Sequence, residues 1–190
     1  MSEQFNIDLP PRFQFNEGED NEERLEVYLD KLNIQLDEMF KRLWKRTIHK
    51  TVPCCRIYTD TDRTIVHDTW TAIAFNKESF DDMVMHDNVT NNSRMTIPDE
   101  RGGIYLIGGA CPFDANVTGI RTLRIYKNGV QGTQLDHMHA RNDCAQLLHG
   151  SAIVEAVAGD YFELFVYQDS TGNLNTENGA NTVYGWCVKI

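Results

Sequence analysis

The densest group of side chains able to bind a metal or move a proton is Asp136-His137-Met138-His139, with Asp143, Cys144 and His149 close behind. Two histidines at i and i+2 share one face of a strand, and a threefold axis would present each of them three times, enough for a metal site or a pH-responsive interface. In a polar loop between strands the same run would have neither role, and spacing alone leaves both readings open. The five cysteines (Cys54, Cys55, Cys111, Cys144 and Cys187) are odd in number and widely scattered. That is unlike a disulfide framework, so they are expected to be reduced and mostly buried. Neighbours in a strand point to opposite faces, which leaves Cys54 and Cys55 badly placed to chelate one ion together. Asp81-Asp82 is expected in a solvated loop. Gly102-Gly103 and Gly108-Gly109 flank an apolar run without a Walker or dinucleotide pattern and read as turn or close-packing glycines. No nucleophile with a base, pair of placed carboxylates or phosphate cradle stands out, so no enzyme is expected and no catalytic residue, metal set or cofactor is assigned.

The elements that must hold these residues follow from the rest of the chain. At 190 residues it has room for one sizeable domain and an appendage. Its hydrophobic share of 41% and charged share of 24% are those of a chain that folds. A net charge of -10 argues against clustered Lys and Arg, and so against nucleic acid or an anionic membrane as partner. No apolar run reaches the length of about 18 residues that spans a bilayer. The start, MSEQFNIDL, lacks a basic region followed by an apolar one, so the expectation is a protein made and kept in a cytoplasm.

Three segments are expected. Residues 1–20 form an arm in which Phe5, Ile7 and Leu9, then Phe13 and Phe15, alternate as a strand does on either side of Pro10-Pro11. Such a face cannot be buried alone, and it suits a peptide that docks on a neighbouring protein or folds back on its own helix. Residues 21–50 carry helical signals, with Asp20 or Asn21 as N-cap. Leu25, Leu29, Leu32, Leu36, Met39 and Leu43 are spaced as the seam of a short coiled coil. Burying that seam would contribute roughly 10 kcal/mol before ordering entropy is subtracted, enough to assist an oligomer whose main contacts lie elsewhere. Residues 51–190 break into β-like runs separated by Gly, Asn, Asp and Pro: 55–58, 69–75, 94–97, 103–111, 122–127, 147–157, 161–168 and 183–190. Lys127-Asn128-Gly129-Val130 signals a hairpin with a type I′ turn. These features predict an all-β jelly-roll sandwich preceded by the extended arm and the coiled-coil helix.

An ordered series of motifs over about two thirds of the chain resembles the C1q/TNF-like jelly roll of the phage and bacterial type. It comprises Thr69-Trp70-Thr71-Ala72-Ile73-Ala74-Phe75, Arg94-Met95-Thr96-Ile97-Pro98 with Gly103-Ile104-Tyr105-Leu106-Ile107, and Arg124-Ile125-Tyr126-Lys127-Asn128-Gly129. Val157-Ala158-Gly159-Asp160-Tyr161-Phe162-Glu163-Leu164, Gln168-Asp169-Ser170 and Tyr184-Gly185-Trp186-Cys187-Val188 complete it. The resemblance implies a homotrimer. It also implies a place in a phage fibre, tail or decoration protein, with the arm docked on another virion structural protein of the capsid, portal, collar or tail. Localisation would then be the virion, assembled in the host cytoplasm. The absence of a collagen-like repeat sets it apart from secreted C1q relatives. Asp160 would support calcium in some relatives, although Gly159-Asp160 also makes a simple turn. The alternative function is a host-surface receptor or glycan-binding module, using Tyr58, Tyr126, Tyr167 and the loop 173–181.

Overall fold

The computed structural model describes residues 21–48, 52–141, 144–177 and 182–190, and describes helix side chains from Leu25 to Lys41. The expected docking residues Phe5, Ile7, Leu9, Phe13 and Phe15 lie outside these, as does the side chain of Leu43.

Helix α1 runs from Asn21 to Ile48. Along its seam Leu25, Leu32 and Met39 are half-buried and Leu29 and Leu36 are exposed, as are Val27, Ile34 and Phe40 on other faces. Lys41 reaches Asp37 and Glu38 at 3.8 and 3.3 Å with every partner in water, pairs that contribute a few tenths of a kcal/mol each. Among the described residues no helix is long and apolar enough to cross a membrane.

The body, Val52–Ile190, is a separate compact unit. Its strands are β1 (Cys54–Tyr58), β2 (Arg63–Ile65), β3 (Thr71–Ala72), β4 (Lys77–Asp82), β5 (Arg94–Thr96) and β6 (Gly103–Phe113). They continue with β7 (Ile120–Lys127), β8 (Val130–His139), β9 (Gln146–Ala156), β10 (Tyr161–Gln168), β11 (Leu174–Thr176) and β12 (Tyr184–Lys189). One sheet has the order β2-β11-β6-β12-β1-β4, with β9 also paired to β6; the other has the order β3-β10-β7-β8, with β5 also paired to β10. Pairing is antiparallel throughout, and strands far apart in sequence lie side by side, as in a jelly roll.

Period-2 alternation drives each sheet to turn one face inward. In β10 the inward residues are Phe162, Leu164 and Val166; they meet Leu123 and Ile125 of β7, Tyr105 and Ile107 of β6, Ile57 of β1 and Phe75. Arg121 continues the inward set of β7 and is fully buried. Its Nη1 donates to the Thr118 and Ile120 carbonyls at 2.9 Å, and burial lowers its pKa.

The expected hairpin is present, with Asn128 and Gly129 at φ 53° and 74°, both in the left-handed region that a type I′ turn requires. Four strands were not foreseen. The polar runs of β4 and β8 lack an apolar alternation, and β2 and β11 are three residues each. Of the expected strand 69–75 only Thr71–Ala72 is regular strand, although the Ile73 amide also donates to the Leu164 carbonyl of β10 at 2.9 Å. Asp81 and Asp82 end β4 instead of lying in a loop, because β4 pairs with β1 through Asp82.

Candidate functional site

The outward face of the β2-β11-β6-β12-β1-β4 sheet is the most distinctive surface of the body. Register places Ile153 of β9 opposite Leu106 of β6, Leu106 opposite Val188 of β12, and Val188 opposite Cys54 of β1. Directly opposite residues on antiparallel strands share a face, so these four form one row across the sheet. The next row is Ser151, Gly108, Trp186, Arg56 and Phe80; the one after it is His149, Ala110, Tyr184 and Tyr58. Ile153 is 65% exposed and Phe80 49%, while Leu106, Trp186 and Val188 are half-buried. The Trp186 ring reaches over position 108, where glycine leaves room for it: a Cβ there would sit 2.8 Å from Trp186 Cζ2. The Arg56 guanidinium stacks 4.8 Å from the centre of the Tyr184 ring. An apolar centre with Glu155, Asp82 and Lys77 at its margins has the anatomy of an assembly surface. Sequence reasoning missed these residues in favour of the arm and helix. The signal was the unbroken apolar run Ile104-Tyr105-Leu106-Ile107, which marks a strand covered on both faces.

The other sheet carries an aromatic cluster on its outer side. Tyr126 and Phe165 stack at 3.9 Å, and Trp70 lies 5.2 Å from Tyr167 and 6.1 Å from Tyr126. Arg124 covers Trp70 at 4.9 Å and donates to Gln134 Oε1. Tyr167 donates its hydroxyl to Asp68 at 2.6 Å, which pushes the phenol pKa up to about 12. Of the three tyrosines considered for glycan contact, Tyr126 and Tyr167 thus come together and Tyr58 sits on the opposite sheet. Each of these two rings packs against Trp70, and Tyr126 also stacks on Phe165, so their faces are already engaged. Of loop 173–181, positions 178–181 lie outside the described residues, and Asn173 accepts from the His67 amide.

Asp160 is the fixed point of the hairpin end. Its carboxylate accepts from Lys127 Nζ at 2.7 Å, Asn128 Nδ2 at 2.7 Å and the Val157 amide at 2.9 Å. Asn128 Oδ1 in turn accepts from the Tyr161 amide. These donors occupy the oxygens that calcium would need and hold the Asp160 pKa down at about 2, with Lys127 the largest cause. A depressed carboxylate contributes stability above its unfolded pKa near ~3.9 and loses it as pH falls toward the folded value. With Lys127 41% exposed, solvent screens the pair and the contribution is about 1 kcal/mol. Asp160→Ala is expected to destabilise the body by that amount at pH 7. In urea unfolding at pH 7 and pH 2.5 the gap between native and variant should narrow at the lower pH, which lies between the unfolded and folded values; a gap that is unchanged would refute this linkage.

The remaining chemistry is scattered. His137 and His139 lie in β8, on the strand side of the two open readings. Asp81 accepts from the Met85 and His86 amides at 2.9 Å, and buried His86 is held between Glu78 and the Asn92 carbonyl. These are turn-building contacts. Cys55 and Cys187 face each other across β1 and β12, Cys111 is buried separately in β6, and burial raises all three thiols, Cys187 to about 12. Cys54 turns to the opposite face of β1, half-buried, and Cys144 is exposed. Among the described residues no three metal-capable side chains converge.

No protein family matches the sequence. No curated protein matches it either. Solved structures do match in shape. Murine APRIL crystallised at pH 5.0 aligns with 74% of this chain and 100% of its own at TM-score 0.55 and 11% identity. Eiger TNF from S. frugiperda aligns over 74% and 94% at 0.50 and 13%. The globular domain of zebrafish complement 1qA aligns over 70% and 94% at 0.49 and 10%. At such identities the likeness to APRIL and Eiger speaks for architecture alone, and the architecture of this chain is the jelly roll of the tumour-necrosis-factor type.

Proposed function

We propose that the chain is a non-enzymatic structural protein whose body assembles as a homotrimer through the outward face of the β6-containing sheet, with the arm fixing it to a virion. The observation that carries this reading is the apolar row Ile153-Leu106-Val188, flanked by Trp186 and Phe80, across strands brought together only by folding. A face of this composition exposed on a monomer is a liability, and self-association removes it. The exposed Leu29 and Leu36 of α1 support the same reading, since helices brought parallel by a trimeric body cover such a seam. The virion role rests on the alternating apolar residues of positions 1–20 and on the resemblance of the body motifs to phage structural proteins.

Light scattering of the full chain over a concentration series is expected to give three times the mass of the 21.8 kDa chain. A monomer at all concentrations would refute the assembly. The attachment is tested separately: the chain should appear in purified virus particles by mass spectrometry, and a chain lacking residues 1–20 should be lost from them while still trimeric.

A further inference from the structure

We propose that His137 and His139 form a two-imidazole binding site for a divalent zinc-class cation on the outer side of β8. The site lies within one chain and does not depend on the trimeric reading.

The two residues sit at i and i+2 of the strand, opposite Thr122 and Ile120 of β7, so both rings leave the sheet on the same side. Both are exposed, and their ring centres are 5.8 Å apart at 83°. Zinc–imidazole bonds of about 2.0–2.1 Å put each ring centre about 3 Å from the ion, so two rings sharing one tetrahedral ion have centres about 5 Å apart. Small side-chain rotations close that difference.

His137 also has the support that metal-binding imidazoles use. Its Nδ1 lies 2.9 Å from Thr122 Oγ1. With Nδ1–H donating to that hydroxyl, the ring is fixed in the tautomer whose Nε2 lone pair is free for a metal. Both histidines line a groove of about 500 Å³ together with Gln146, Leu147 and Cys144, which leaves room for water in the remaining coordination positions. Imidazole ligands with open water positions suit zinc and copper ions better than calcium or magnesium, which take oxygen ligands.

The test is calorimetric titration of the metal-free full chain with Zn²⁺, with the melting temperature as a second readout. One ion per chain is expected, with a rise in melting temperature. His137→Ala and His139→Ala should each weaken binding at least about tenfold, and the double variant should lose both the heat and the thermal shift. Thr122→Val should weaken binding about tenfold through the freed ring, and Cys144→Ser should leave it unchanged. Both histidines are exposed, so circular dichroism should show the variants folded; His137→Gln and His139→Gln replace any that are not. The proposal is overturned if native protein binds no Zn²⁺ up to about 1 mM, if the double variant binds like native protein, or if Cys144→Ser abolishes binding.

Discussion

Gly109→Val is expected to leave the body unable to fold. Position 109 lies in the middle of β6 with its missing side chain directed at the core. A Cβ there would sit 2.4 Å from both Leu164 Cδ1 and the Tyr184 carbonyl oxygen, and 3.2 Å from Gly185 Cα. A leucine methyl can rotate away, but a backbone carbonyl in the ladder between β6 and β12 cannot move without breaking the pairing that places Trp186 and Val188. Overpacking of this kind costs at least about 3 kcal/mol, a large share of the stability of a domain of this size. Insoluble expression, or a loss of the cooperative melting transition, is the expected readout. A variant that melts like native protein would mean that the two sheets are packed loosely enough around Leu164 to admit a whole isopropyl group. The paired β12 register would then need revision.

Leu106→Asp combined with Ile153→Asp should have the opposite character, sparing the fold and dissolving the assembly. The two positions are directly opposite each other on β6 and β9, and Ile153 is largely exposed in the single chain. Two carboxylates there are well hydrated in a monomer. In a packed interface they would be adjacent, alike in charge and stripped of water, a penalty of several kcal/mol per subunit. The short helical seam cannot hold three chains against that, so light scattering at low micromolar concentration should report monomers with a nearly unchanged circular dichroism spectrum. Thr133→Asp, on exposed β8 of the other sheet, is the control and should leave the mass unchanged. If the double variant keeps the native mass, the face is not the interface.

The parts of this architecture that could be read in advance are those in which local pattern and fold agree. The alternation of Phe162, Leu164 and Val166 with Glu163, Phe165 and Tyr167 gave β10 its span, and Asn128-Gly129 gave the hairpin its turn. Strand β8 was hidden because Val130-Gln131-Gly132-Thr133-Gln134 is exposed on an outer strand, where burial imposes no alternation. Only Leu135 and Met138 of β8 pack on the core. The candidate assembly surface was hidden for a different reason. Ile153, Leu106 and Val188 lie 47 and 82 positions apart and become a row only through the register of three strands. A single sequence carries the apolar character of each position but not the pairing that lines them up. The histidines show the intermediate case, since their spacing suggested a shared face and the structure supplied the strand and the threonine beside it.

The place of β1 in its sheet has a mechanical meaning. The strand enters the body directly after Val52 and is bonded along one side to β12 and along the other to β4. Its hydrogen bonds run across the strand direction. A pull delivered at residue 52 along the strand therefore loads both ladders in shear, with many bonds sharing the force at once, instead of peeling them one after another. Anything that tethers this protein by the segment before Val52 holds it by one of the hardest strands in the body to extract.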